Sequence, residues 1–172
     1  MASEDEPVLG RPMEGRTDHG EATPPLVERI RSLVTTQPYG VLCTHGEDQA
    51  YGSLVAFVFT ADLCSAAFAT PIATRKYRLL TEHQRVALVI DNRPQHLEAM
   101  MQVEAITATG RARELQAGAQ FDQLSGLLVE RHPQLRTFVG ADSCALFQIA
   151  ITRFFHVSRF QEVRQWVPPV LS

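Results

Sequence analysis

Cysteine is scarce in this chain. Cys43, Cys64 and Cys144 are the three it has, far apart and odd in number, which argues against a disulfide framework. None has a partner at metal-ligand spacing, so they read as buried thiols in a reducing cytoplasm. The six histidines are just as scattered, and no H-x-x-x-H or H-E-x-x-H pair marks a metal site. Long apolar runs are missing too: no stretch of about 18 apolar residues occurs, and no apolar h-region follows Met1. A soluble, cytoplasmic protein is the expectation, with no membrane as partner. An excess of positive charge is also lacking. The net charge is −3, and residues 1–23 hold six acids against two arginines, a net −4 that leaves the remainder near +1. No basic face for a duplex follows, so nucleic acid is not an expected partner.

What is present is ordinary globular composition, with 45% hydrophobic and 20% charged residues over 172 positions, enough for one domain with a core. Residues 1–23 have glycines and prolines among acids and almost nothing to bury, which predicts a flexible acidic tail before a single domain over 24–172. Thr23-Pro24-Pro25 has the hydroxyl cap and first-turn proline of a helix start. Leu26, Val27, Ile30, Leu33 and Val34 then follow at helical spacing, predicting an amphipathic helix over 24–36.

After Pro38 the period shortens. YGVLCTH (39–45), GSLVAFVF (52–59) and SAAFAT (65–70) are β-rich runs separated by turn-like residues. The run Leu54–Phe59 is apolar on both faces, as is RVALVID (85–91), so both strands should be covered on both sides. VEAITATGRAREL (103–115) alternates, with Gly110 predicting a bend or bulge. A helix is predicted over 116–131, then two closing strands, ALFQIAI (145–151) and RFFHVSRF (153–160). The fold class is therefore mainly β with flanking helices (α+β), a small and mostly antiparallel barrel.

One stretch is out of place on elementary grounds. ATRKYRLLTEH (73–83) is helical in pattern, yet Arg75 and Lys76 stand at its start, where the helix end is already positive. Thr74-Arg75-Lys76 puts a hydroxyl, a guanidinium and an ammonium beside unpaired backbone amides, an arrangement that suits a phosphate. The competing reading is a solvated basic helix face.

The order PYGVLCTHGEDQAYGSLVAFVF, FATPIATRKYRLL, RVALVIDNR and RFFHVSRFQEVRQW resembles the pyridoxamine 5′-phosphate oxidase-like FMN-binding split barrels over roughly residues 26–166. The resemblance implies an FMN cofactor whose phosphate is gripped by Thr74, Arg75 and Lys76. It also implies that Ser53, Leu54 and Val55 line the isoalloxazine, with Phe68, Ala69 and Thr70 as a wall and a hydroxyl; plain barrel core is the other reading of Ser53–Val55. Asn92 is either a flavin contact or a turn former, and Trp166 either covers the flavin of a partner subunit or packs an interface. Split barrels of this kind are homodimers with the flavin between subunits, and the doubly apolar strands are consistent with a second copy.

No nucleophile or acid–base pair stands out. Cys43, His45 and His156 lie in apolar strands and read as core, which fits a protein whose cofactor does the chemistry. The resemblance implies an FMN-dependent oxidoreductase acting on a small-molecule substrate, with NAD(P)H as a donor, or else a non-catalytic flavin-binding or redox-sensing module. The chain ends VRQWVPPVLS, with Arg164 alone standing near the positions where true oxidases clamp a substrate phosphate by arginine and histidine. The family's flavin-contacting glutamine would fall near Ala105, with Gln102 out of register. A relative that binds deazaflavin or handles haem is the further alternative, although no histidine follows His156.

Overall fold

The computed structural model describes residues 25–46, 48–159 and 162–169, so the acidic tail and the cap expected at Thr23 lie outside the described residues. Helix α1 (Leu26–Thr36) places Ile30, Leu33 and Val34 on its buried face. Strands β1 (Tyr39–His45) and β2 (Ala50–Ala56) form a hairpin. The two-residue β3 (Val58–Phe59) then pairs with β4 (Ser65–Pro71), followed by α2 (Arg75–Glu82), β5 (Arg85–Asp91) and β6 (Ala105–Glu114). Helix α3 (Ala119–Arg131) and the short α4 (Arg136–Val139) precede β7 (Cys144–Ser158) and β8 (Glu162–Trp166).

All the ladders are antiparallel, in the order β2-β1-β5-β6-β7-β4-β3, with β8 added to β7. The two ends of this path, β2 and β3, are separated in the chain by Phe57 alone, so the sheet must curl round on itself. The result is a barrel split between β2 and β4, which no ladder joins. Phe57 is wholly buried, and its carbonyl sits 3.0 Å from His132 Nε2. Arg131 lies over the Phe57 ring and donates to the carbonyls of Val34, Thr35 and Gln37, a cation placed on the C-terminal end of α1. The end of α3 thus fastens both the hinge of the barrel and the end of α1.

The barrel interior holds Leu42, Phe57, Phe68, Leu88, Phe147 and Phe154 under α1 and α2. Each large side chain contributes about 1.5–3 kcal/mol by leaving water. A second cluster packs Leu124 and Leu128 of α3 on the outside of β4 and β7. Alternation in β5 and β6 sends Val86, Leu88, Ile90, Ile106 and Ala108 inward, and leaves Ala87, Val89, Ala105 and Thr107 half-buried on the outside.

Four expectations need correcting. Residues 52–59 are not one strand covered on both faces: the strand breaks at Phe57, and Leu54 is 69% exposed. Residues 85–91 bury one face fully and the other only in part. The helix expected over 116–131 begins at Ala119, after Gly118 at φ 153°. The two closing strands are one continuous 15-residue strand. Its inward side chains are Phe147, Ile149 and Ile151, then Phe154 and His156, so the inward parity changes at Thr152. That change reads in the sequence as an interruption but is a bulge opposite Thr109 and Gly110. Strand β8 was not expected at all. The bend at Gly110 is as expected: a Cβ there would stand 2.3 Å from the Ala150 carbonyl oxygen, so the backbones approach too closely for any side chain.

Candidate functional site

Strand β4 ends at Pro71 and the chain turns into α2 through Thr74. The Thr74 hydroxyl accepts from the Tyr77 amide at 3.2 Å and donates to the Pro71 carbonyl at 2.9 Å. Its single proton is therefore committed to Pro71, and the buried Thr70 hydroxyl is the donor in the 3.2 Å contact between the two threonines. Thr74 thus acts first as a helix cap, which is why the helix starts here. The amides of Arg75 and Lys76, ahead of the capped Tyr77, have no intrahelical acceptor.

No acid occupies the first turn of α2. Lys76 is half-buried without a charged partner among the described residues, and that burial holds its ammonium below the ordinary lysine range. Arg75 is exposed and reaches across the split to Tyr51 on β2, its guanidinium carbon 5.2 Å from the ring centroid. Farther along the same face of β2 come Ser53 and the buried Val55, with Leu54 turned to the outside. The Ser53 hydroxyl is buried and has no hydrogen-bond partner among the described residues, which is costly unless something supplies one. Two free amides and two cations on one side of the split thus stand near an unsatisfied hydroxyl and an apolar strand on the other. These residues fit a ligand with a dianionic end and a flat, mostly apolar body.

The remaining expected residues divide. Ala69 is half-buried next to Thr70. Phe68 is fully enclosed and stacks on Phe147 at 5.6 Å, so its side chain backs the site and cannot line it. Asn92 lies at the far end of β5 from α2, where its side-chain oxygen accepts from the Glu104 amide at 2.7 Å; that is the turn-forming role. Trp166 pairs with Phe154 and packs on that ring at 5.6 Å within its own protomer. Phe154 is ten residues along β7 from the end that meets Pro71, roughly 30 Å by strand rise. Neither residue joins the α2 turn within one protomer. Tyr51 is the addition: only the pairing of β2 opposite α2 reveals it, and no local pattern marks it.

A second polar cluster lies under α1, away from this turn. Glu104 accepts from Arg29 at 2.7 Å and sits 2.8 Å from Nε2 of the enclosed His156. Burial pushes the His156 pKa down despite the carboxylate, so the ring is neutral and donates from Nε2. Burial works to raise Glu104, but bonds from Arg29 and His156 outweigh it and hold the carboxyl below its ordinary value. Beside the cluster is a cleft of about 250 Å³ lined by Arg29, Ser32, Asn92 and Glu104 among others. Another, about 290 Å³ and apolar, lies between Arg93, Met100 and Val157. Neither touches the α2 turn. His156 is core, as expected, whereas His45, read the same way, is exposed and Cys43 is only half-buried.

A mostly antiparallel curled sheet with flanking helices, bearing an anion-ready turn beside its split, defines a split-barrel protein. The family model described as pyridoxamine 5′-phosphate oxidase matches residues 26–158, and the chain belongs to that family. No match is found among curated proteins. Among solved structures, a heme binding protein from Mycobacterium smegmatis is similar, with a TM-score of 0.76, 13% identity, and coverage of 86% of this chain and 60% of that one. The heme storage protein HutZ from Vibrio cholerae has a TM-score of 0.64 and 14% identity, covering 83% and 94%. A FAD-binding protein from Mesorhizobium loti has a TM-score of 0.61 and 14% identity, covering 76% and 90%. The chain thus spans about three fifths of the length of the mycobacterial protein, and at these identities the likeness concerns the fold. No helix among the described residues is long and apolar enough to cross a membrane.

Proposed function

We propose that the protein binds FMN and works as a flavin-dependent oxidoreductase on a small molecule. One observation carries this reading: the α2 turn offers two free amides, Arg75 and Lys76 with no acid among them, and Arg75 reaches Tyr51 on the strand that also bears the Ser53 hydroxyl, which has no partner among the described residues. The cations and amides would hold the phosphate, and Ser53 with the backbone of Leu54 and Val55 would lie along the ring, the Leu54 side chain being turned to the outside. Bound there, the flavin supplies hydride or electron transfer, while the chain orients it and excludes water.

The outward face of β2, β1 and the middle of β5 carries the exposed Leu54 and the half-buried Val41 and Val89, none of them in either core cluster of the described residues. We read this as the surface where a second copy docks, which would enclose a ring lying on β2. Light scattering tests that reading: wild type is expected at twice the protomer mass and Leu54→Asp at one.

Haem is the second reading, supported by the two structural neighbours whose names report heme binding or storage. The enclosed His156, bonded to Glu104, is not available as an axial ligand. Titrating the purified protein with FMN and with haemin separates the readings. Tight, stoichiometric FMN with bleaching by NADH or NADPH under argon supports the oxidoreductase. Flavin that binds but resists reduction points to a storage or sensing module, and haemin binding without FMN overturns the flavin reading.

A further inference from the structure

Like charges placed directly opposite on neighbouring strands repel, and a sheet normally avoids them. Strands β5 and β6 break this rule at the end of the barrel next to α2, where Arg85 pairs with Arg111 across the ladder. Alternation puts both on the outer face, and both are exposed. Neither guanidinium has a hydrogen bond, an ion pair or a ring contact among the described residues. Several other arginines are engaged: Arg29 meets Glu104, Arg93 meets Asp91, Arg113 meets Gln148 and Gln120, and Arg153 meets Gln165; the helix arginines Arg78 and Arg136 are unpaired among the described residues, but neither stands opposite a second arginine on a ladder. Around the pair the floor is small. Arg111 faces Ala150 on β7, and the next row along is Ala87 opposite Thr109. The shelf therefore has two free forks above a low surface.

We propose that Arg85 and Arg111 form a second anion site, one for a phosphoryl group. Each fork presents two parallel N–H donors, and two forks rising from directly opposed ladder positions can supply the several oxygens of a phosphate better than the two of a carboxylate. A bound oxyanion also removes the repulsion that the bare pair carries. This site stands on a different element, and on different residues, from the α2 turn, so it does not depend on the flavin reading.

The test uses the Arg75→Ala/Lys76→Ala protein, in which the α2 turn has lost both its cations, and measures thermal melting as inorganic phosphate replaces chloride at constant ionic strength. Phosphate is expected to raise the melting temperature by about 2–4 °C. Adding Arg111→Gln, or Arg85→Gln, is expected to abolish that shift. In phosphate-free buffer at low salt, Arg111→Gln is expected to melt no lower than its parent, because it relieves the repulsion. Four results would overturn the site: no phosphate shift in the parent, an undiminished shift in both glutamine variants, equal protection by acetate, or a lower phosphate-free melting point for Arg111→Gln. FMN titration of the wild type, run alongside, reports on the flavin reading separately.

Discussion

The guanidinium of Arg75 lies over the ring of Tyr51, joining the first residue of α2 to β2 across the split that no ladder closes. This contact holds a cation at the turn before any ligand arrives. Such pairs are worth about 0.5–1 kcal/mol at exposed sites. Tyr51→Leu is therefore expected to weaken FMN about two- to fivefold, while Tyr51→Phe, which keeps the ring, binds like wild type. Riboflavin lacks the phosphate and should bind all three alike. A Tyr51→Leu protein that loses riboflavin as much as FMN would show that the tyrosine shapes the ring site instead.

Removing both cations goes further. Arg75→Ala with Lys76→Ala is expected to weaken FMN by two to three orders of magnitude, from roughly 1.5–3 kcal/mol per charged hydrogen bond with partial additivity. Fluorescence titration measures it, and an unchanged dissociation constant refutes the assigned phosphate contact.

Gly110 makes a prediction about the frame of the barrel. With a Cβ placed 2.3 Å from the Ala150 carbonyl and 2.7 Å from an Ile149 methyl, Gly110→Ala must push β6 from β7 at the bulge. A loss of about 2–3 kcal/mol is expected, seen as a melting temperature lower by about 5–10 °C. A variant that melts with wild type would mean that the two backbones are farther apart.

The cluster beneath α1 predicts acid sensitivity of a definite sign. His156 is held below its ordinary 6.5, chiefly by burial, and Glu104 below its ordinary 4.5. Both groups favour the fold above those values, and both contributions fade as pH falls, because the unfolded chain takes up the protons first. Melting temperature is expected to drop as pH falls below about 6.5, and further below about 4.5. His156→Gln, which cannot charge, is expected to lose less over the first interval. Equal slopes for the two proteins would remove His156 from the account.

Much of this was legible in the residues. The misplaced cations at 75–76 announced the turn because helix ends have a sign, and Gly110 announced the bulge because nothing else fits there. Phe68 was placed on β4 correctly, but which side of a strand faces a ligand and which faces the core depends on the curl of the whole sheet. Tyr51 was missed for the same reason: its partner is 24 residues on, brought near by topology. Strand β8 was invisible because Glu162–Trp166 has little apolar alternation and draws its order from the edge of β7. Asn92 and Trp166 have side chains suited to a flavin, but within one protomer the fold puts both far from α2.

The single extra residue at Thr152 has a consequence for how this chain can change in length. It works as a phase shifter between two halves of one long ribbon, each reading the pleat in the opposite sense. Deleting it would force one half to turn inside out, exposing either Ile149 and Ile151 or Phe154 and His156, while loops elsewhere could gain or lose residues freely.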